Sequence, residues 1–100
     1  MVRNTESPSF AVLQTTGGVQ TAIMRLAPRQ ESGERGNEHA QSLQVLYVVK
    51  GRLRAEIGEG RFTMRAGDST IVPRGMAHRF VNDSFEEQAL TFNVYVPPAY

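Results

Sequence analysis

The stretch at residues 43–57 reads LQVLYVVKGRLRAEI and contains two strand patterns joined by a turn. Its first half, Leu43–Val49, is rich in β-branched and aromatic residues, which favour strands. Both faces of this segment are apolar apart from Gln44, so we expect both faces to be buried. Lys50-Gly51 predicts the turn, and Arg52–Ile57 then alternates apolar and charged residues, as a half-buried strand does.

Six more strand patterns surround this stretch, and turn residues separate them. They are Ser9–Gln14, Val19–Ala27, Arg61–Met64, Ser69–Val72, Ala77–Asn82 and Ala89–Val96. A spacing of about ten residues without a helical period is typical of a β-sandwich or barrel. The sequence therefore predicts an all-β fold, with residues 1–100 forming one domain.

The composition is that of an ordinary globular protein without thiol chemistry. The chain has 100 residues, 40% hydrophobic and 21% charged, with a net charge of +1 and no cysteine. This small net charge gives no general attraction to nucleic acid or to an anionic membrane, and disulfides and thiolate metal sites are excluded. Residues 1–8 lack the apolar run of a signal peptide, and no segment approaches the roughly 20 apolar residues of a membrane helix. We therefore expect a soluble, cytoplasmic protein that binds neither nucleic acid nor membrane.

The two histidines of the chain, His39 and His78, each adjoin a strand pattern. A small barrel could bring both to one end, where they would share a pocket. Two imidazoles alone hold a metal ion weakly, so the neighbouring residues determine what such a pocket can do.

Three segments together resemble one family. The pattern N-x-H-x4-Q at residues 37–44, followed by YVVKG, resembles the first motif of the cupins. Residues 67–82, with Gly67-Asp68, VPxG, His78 and Asn82 in order, resemble the second motif closely. The ending FNVYVPP at residues 92–98 is similar to that of small cupins of the mannose-6-phosphate-isomerase-like type. The resemblance covers about residues 20–98.

This resemblance implies a jelly-roll barrel, the cupin double-stranded β-helix, with a divalent metal ion held by four inward side chains. Position by position, these are Asn37, His39, Gln44 and His78. Zinc, nickel, iron and manganese all accept imidazole ligands, which leaves the identity of the metal open. Asn37 stands where the family has a histidine, and Gln44 stands where it has a glutamate. Without a carboxylate, the affinity for a cation should be lower than in a site with three histidines and one carboxylate.

Each of these residues also has a role that requires no metal. His39 and His78 would be hydrogen-bonded histidines in a polar cavity, Gln44 a buried amide bonded to its neighbours, and Asn37 the cap of a turn. Asn82 is predicted either to orient a pocket group or to form a turn with Asp83-Ser84. Six apolar residues are predicted to line or support the pocket, although such a stripe is more often plain core: Met24, Leu26, Leu46, Val48, Phe80 and Phe92.

One apolar face of the Leu43–Val49 strand must be shielded from water. Val45, Tyr47 and Val49 face away from Gln44, and either residues 9–14 or a second subunit could cover them. Cupins commonly dimerise through their sheets, so the resemblance implies a homodimer, with the N-terminal strand at or near the interface.

Two functions compete, and both involve a small-molecule ligand. The first is a metal-dependent isomerase, cyclase or oxygenase acting on a small oxygen-rich molecule. The second is a metal-free binding module that captures a sugar-like or aromatic metabolite through neutral amides. A third alternative is a barrel whose pocket has no activity, because one fold hosts many functions.

Overall fold

The computed structural model describes residues 9–33 and 40–100, which form eight β-strands and no helix. The strands are β1 (Ser9–Thr15), β2 (Gln20–Leu26), β3 (Leu43–Lys50), β4 (Arg52–Ile57), β5 (Gly60–Arg65), β6 (Ser69–Val72), β7 (His78–Val81) and β8 (Ala89–Val96). All eight predicted strands are present, and the all-β prediction is confirmed. Within the described ranges, no helix is long and apolar enough to cross a membrane.

The strands form two antiparallel sheets that face each other. The large sheet has the order β1-β2-β8-β3-β6, and the small sheet has the order β5-β4-β7. Along the chain, β2 and β3 lie in the large sheet and β4 and β5 in the small one, after which β6, β7 and β8 alternate between them. This winding is the double-stranded β-helix of a jelly-roll barrel, so the predicted architecture is confirmed.

The hydrophobic core lies between the inner faces of the two sheets. In β2, the alternation buries Met24 and Leu26 and leaves Arg25 between them exposed. In β4, Leu53 and Ala55 are buried in the same way from the opposite sheet. Ten buried residues from both sheets form one cluster: Met24, Leu26, Leu46, Val48, Leu53, Ala55, Met64, Val72, Phe80 and Ala89.

The outer face of β3 is uncovered in the single chain. Tyr47 and Val49 are exposed, so within the single chain only one face of this strand is buried. Cover by residues 9–14 is wrong, because β1 extends the sheet beyond β2 and is separated from β3 by β2 and β8. The apolar pattern of β3 therefore serves the core on one face only.

A buried carboxylate is held by arginines on the outer face of the small sheet. Glu56 accepts hydrogen bonds from Arg54 Nε at 3.1 Å and from Arg79 Nη2 at 2.8 Å. Arg79 also pairs with Glu31, with 3.5 Å between Nη1 and Oε2. Burial alone would raise the pKa of Glu56, but the two arginines outweigh burial and lower it below its usual value of 4.5. The ionised carboxylate thus ties the segment around Glu31 to the small sheet.

Candidate functional site

A narrow pocket lies at one end of the barrel, where β3 begins, β6 ends and β7 begins. The space between its lining side chains is too narrow for a water-sized sphere, whereas pockets that enclose a whole drug-sized ligand have roughly 300–1,000 Å³. It is lined by Ser42, Gln44, Val72, Pro73, Gly75, Met76 and His78. The fold therefore brings Gln44 and His78, two of the four predicted ligands, to one narrow cleft.

The local sequence around Gln44 and His78 explains why both side chains face this pocket. The alternation of β3 puts Gln44 on the inner face with Leu46. Before β7, the Met76 N–H donates to the Pro73 carbonyl at 3.2 Å and closes a turn. Gly75 has a φ of 74° in this turn, where a residue with a Cβ would be strained. The turn delivers the chain to His78, the first residue of β7.

The imidazole of His78 is oriented by a backbone carbonyl. Its Nδ1 lies 3.0 Å from the carbonyl oxygen of Met76. Because a carbonyl can only accept, Nδ1 carries the proton in this contact and Nε2 is the ring nitrogen on the other side. The ring also packs near Phe80, with 6.0 Å between centroids. An imidazole oriented in this way can ligate a metal ion or accept a proton through Nε2.

Gln44 has one buried polar atom without a partner. The residue is 4% exposed, and its Nε2 donates to the Tyr95 hydroxyl at 3.4 Å. Its Oε1 has no hydrogen-bond partner among residues 9–33 and 40–100. A buried unsatisfied acceptor costs about 1–3 kcal/mol, so such atoms in native proteins usually mark a water, ion or ligand position.

The amide of Gln44 begins a buried row of hydrogen bonds, which we call the polar ladder: Gln44, Tyr95, Asn93 and Thr91. Asn93 Nδ2 also donates to the Tyr95 hydroxyl at 3.4 Å, and Thr91 Oγ1 donates to Asn93 Oδ1 at 3.0 Å. All four side chains are buried. Sequence reasoning missed this row, although Thr91, Asn93 and Tyr95 occupy alternate positions of one strand and therefore share a face.

Phe92 lies on the opposite face of β8 from the polar ladder. It is half-buried and pairs in register with Ile23 and Tyr47 on the outer face of the large sheet. The prediction that Phe92 lines the cavity therefore does not match the structure. The prediction assumed that the apolar side of β8 faces inward, whereas its polar side does so here.

The other predicted lining residues belong to the core. Met24, Leu26, Leu46, Val48 and Phe80 are buried in the cluster between the sheets and are not among the seven pocket residues. Their period-two pattern packs the barrel, and their role at the pocket is one of support.

Asn82 holds a turn and does not reach the pocket. Its Nδ2 donates to the carbonyls of Leu26, Ala27 and Glu87 at 3.0, 3.2 and 2.7 Å. Its Oδ1 accepts the Ser84 N–H at 3.0 Å. Of the two predicted roles, the structure supports the turn.

Two predicted ligands, Asn37 and His39, lie outside the described residues. Within the part of the chain that the structure describes, no three His, Cys, Asp or Glu side chains form a group that could hold a metal ion. The described donors are therefore the imidazole of His78 and Oε1 of Gln44. Both are donor types that divalent metals accept, but one imidazole and one neutral amide are too few to hold an ion by themselves.

Comparisons with known proteins agree with this fold. The family model for the cupin domain matches residues 22–95. Among curated proteins, the chain is similar to polyketide synthase CurC from Streptomyces cyaneus, with 37% identity over 82 residues. The aligned part covers 80% of this chain and 49% of CurC, so the chain spans about half the length of that relative.

Solved structures also resemble the chain. The protein TT1209 from Thermus thermophilus has a TM-score of 0.81 at 23% identity, over 97% of this chain and 90% of that one. A sugar phosphate isomerase of the cupin superfamily from Silicibacter pomeroyi has a TM-score of 0.71 at 25% identity, over 81% of this chain and 52% of that one. Together with the family match over residues 22–95, the two-sheet barrel and the motif around His78 lead to one conclusion. The chain belongs to the cupin domain family.

Proposed function

We propose that this cupin binds a small, oxygen-rich metabolite at the pocket of Gln44 and His78, together with a divalent zinc, nickel, iron or manganese ion. In this proposal, His78 and Gln44 hold the ion with His39 and Asn37. The observation that carries the proposal is the buried Oε1 of Gln44, which has no hydrogen-bond partner among the described residues and lines the same pocket as His78. A ligand or ion at this position would satisfy that atom.

A bound divalent ion would act as a Lewis acid toward a carbonyl or hydroxyl oxygen of the ligand. The side chains of the protein have simpler tasks. His78 would supply an imidazole nitrogen and Gln44 an amide oxygen to the bound group. Among the described pocket residues, none is a carboxylate, and His78 is the one with an imidazole that could exchange a proton with the ligand. If His78 holds the ion, the pocket favours binding and orientation of the metabolite.

The class of ligand follows from the charge of the pocket. None of its seven described residues is Lys or Arg, and the guanidinium of nearby Arg74 is bonded to the carbonyls of Gln41 and Val96. Among the described lining residues, none would pair with a phosphate group as a cation, whereas ketone and hydroxyl groups need only hydrogen bonds. The name of CurC, a polyketide synthase, supports the same class, since polyketides are rich in uncharged oxygens. We therefore favour a polyketide-like ligand over a sugar phosphate.

A second function uses the same pocket without a metal ion. The neutral amide of Gln44 suits a ligand hydroxyl, which would donate a hydrogen bond to Oε1. The absence of a carboxylate from the described pocket residues favours this alternative.

Metal titration separates the two functions. Protein purified without added metal or an affinity tag is titrated with zinc and with nickel, and the bound metal is measured. The proposal expects about one equivalent, abolition of binding by His78→Ala, and tighter binding by Gln44→Glu, which adds a negative charge. Gln41→Ala, an exposed amide beside the pocket, is the matched control and should bind normally. Failure of the wild type to take up metal, or unchanged binding by His78→Ala, contradicts the metal site.

Ligand titration tests the class of metabolite. The probes are phloroglucinol, an uncharged polyphenol, and mannose 6-phosphate. The proposal expects chemical-shift changes at Gln44 and His78 with phloroglucinol and none with the sugar phosphate. The reverse result would refute the choice of ligand class while leaving the pocket itself in place.

We also infer a homodimer formed through the outer face of the large sheet. Ile71 is 58% exposed and Tyr47 is 40% exposed, and they lie in register with Val45 and Phe92. The sequence left two ways to cover this face, the N-terminal strand or a second subunit. Since β1 does not cover it, a second copy of the chain remains. Sedimentation of Ile71→Glu should show a shift to monomer, whereas Phe62→Glu, which changes a residue 42% exposed on the small sheet, should not. A monomeric wild type would contradict the inference.

A further inference from the structure

We propose that Phe62 binds the ring of the ligand whose oxygen contacts the cleft at Gln44 and His78. This inference rests on the proposed function and deepens it, because it names a second contact of the same ligand. The feature that Phe62 would select is an uncharged aromatic or conjugated ring. Phe62 itself is not among the described residues that line the cleft.

The pairing of β5 places Phe62 on the inner face of the small sheet. Phe62 lies directly opposite Ala55 of β4, and Met64 lies directly opposite Leu53. Directly opposed residues of an antiparallel pair project to the same face. Ala55, Leu53 and Met64 are at most 2% exposed and belong to the core between the sheets. The Phe62 side chain therefore points toward the interior of the barrel.

Phe62 is nevertheless 42% exposed, because the barrel wall is open beside it. β5 is the last strand of the small sheet and β6 is the last strand of the large one, and no pairing joins them in the part of the chain that the structure describes. A turn connects them, in which the Asp68 N–H donates to the Arg65 carbonyl at 2.9 Å. An inward aromatic side chain that the core does not cover leaves apolar surface in contact with water, which a bound ligand would remove.

An uncharged surface connects Phe62 to the cleft. The neighbouring row on the inner face consists of Gly60, Ile57 and His78, which pair across β5, β4 and β7. Gly60 has no side chain, and Ile57 is apolar and half-buried, so this row leaves Phe62 accessible from the pocket end. Two strand spacings and two residues separate Phe62 from His78, which corresponds to about 12 Å between their Cα atoms.

The width of the cleft requires the body of a ligand to lie outside it. The cleft is too narrow for a water-sized sphere and cannot enclose a ring. A ligand that contacts Gln44 or His78 with one oxygen therefore has its ring beside the cleft, where the apolar surface runs over Ile57 to Phe62. Aromatic rings bind one another in stacked or edge-to-face arrangements, whereas a charged group would lose hydration against such a surface. The surface thus suits an uncharged metabolite that contains a ring.

Two probes that share one polar head test the inference. Phloretin has the ring of phloroglucinol joined by a three-carbon chain to a second phenol. In titrations of the wild type followed by NMR, both probes should shift the signals of Gln44 and His78, and only phloretin should shift those of Phe62. Contact of the second ring with Phe62 should make phloretin bind about tenfold more tightly than phloroglucinol. Equal affinities, or the absence of a phloretin shift at Phe62, would overturn the inference.

Variants of Phe62 show whether its ring is responsible. Phe62→Thr keeps a residue that favours strands and removes the ring, so the tenfold difference between the two probes should disappear. Phe62→Tyr keeps the ring and should retain the difference. Phe85→Thr is the matched control, because it removes a phenylalanine that is 63% exposed between β7 and β8, at the opposite end of the barrel. A difference that persists in Phe62→Thr, or that is lost in Phe62→Tyr or in Phe85→Thr, contradicts the role of Phe62.

The positions of the shifted signals separate this inference from the proposed function. If phloretin shifts the signals of Phe62 but neither probe shifts those of Gln44 and His78, the proposed pocket fails and the ring-binding role of Phe62 stands. If both probes shift Gln44 and His78 and neither shifts Phe62, the pocket stands and the inference fails. Failure of phloretin to bind the wild type also refutes the inference.

Discussion

Replacing Asn82 with alanine removes a side chain that satisfies four backbone groups at once. Its amide nitrogen donates to the carbonyls of Leu26, Ala27 and Glu87, and its oxygen accepts the Ser84 N–H. Asn82 is fully buried, so these groups would lose their partner without gaining contact with bulk water.

The expected loss of stability follows from the number of bonds. The two protons on Nδ2 cannot serve three carbonyls at full strength, so the four contacts are equivalent to about three hydrogen bonds. At about 1 kcal/mol each, Asn82→Ala should lower the free energy of unfolding by about 3 kcal/mol, and by more where a carbonyl stays buried and unsatisfied. For a chain of about 100 residues, this loss corresponds to a fall in Tm of roughly 12–24 °C.

Urea unfolding followed by circular dichroism, at one fixed protein concentration, measures this loss. Ser84→Ala is the matched control, because its hydroxyl accepts only exposed N–H groups of the same turn, and it should lose less than about 1 kcal/mol. Asn82→Asp should be at least as damaging as Asn82→Ala, since it turns an oxygen toward three carbonyls. A loss below about 1 kcal/mol for Asn82→Ala would refute the assignment of Asn82 to the turn and would favour the pocket role.

Two further predictions concern charge and backbone conformation. The pKa of Glu56 is lower in the folded protein than the ordinary 4.5, so its ionised form stabilises the fold above that pH, and this contribution is lost as the pH falls below it. Urea unfolding between neutral and acid pH should show this decline in the free energy of unfolding. Glu56→Gln should make the decline shallower. Gly51 has a φ of 81° and an added Cβ would meet the Gln88 carbonyl, whereas Gly67 has a φ of 97° and open space around it. Gly67→Ala should therefore cost about 1–2 kcal/mol from backbone strain alone, and Gly51→Ala should cost about 1–3 kcal/mol more from the clash; equal losses of unfolding free energy would contradict this difference.

The strands could be predicted from the sequence because their signal is local. The alternation in Arg52–Ile57 and the β-branched run in Leu43–Val49 depend only on neighbouring residues and on the period of two that every strand shares. Turn glycines such as Gly75 work in the same way, since a left-handed backbone conformation favours glycine wherever it occurs. The resemblance carried by the segment around His78 then indicated the barrel, and the architecture agrees.

The faces of the strands could not all be predicted in this way. β8 has one apolar face, with Phe92 and Val94, and one polar face, with Thr91 and Asn93. The usual expectation that the apolar face lies inside is wrong here, because a buried polar face is tolerated when its groups bond to one another. Whether they do depends on which strands lie beside β8, and the spacing of residues within β8 contains no information about that.

The same distinction between local sequence signals and sheet pairing applies to the candidate site. The identity of Gln44 and His78 as pocket residues could be proposed from motifs in the sequence, because their positions relative to turns and strands recur in the family. The structure added that Gln44 Nε2 is bonded to Tyr95 and that its Oε1 has no partner within residues 9–33 and 40–100. Strand periodicity is encoded by adjacent residues, whereas the partner of a buried atom is chosen by sheet pairing across 51 positions of chain, and that pairing exists only in the folded protein.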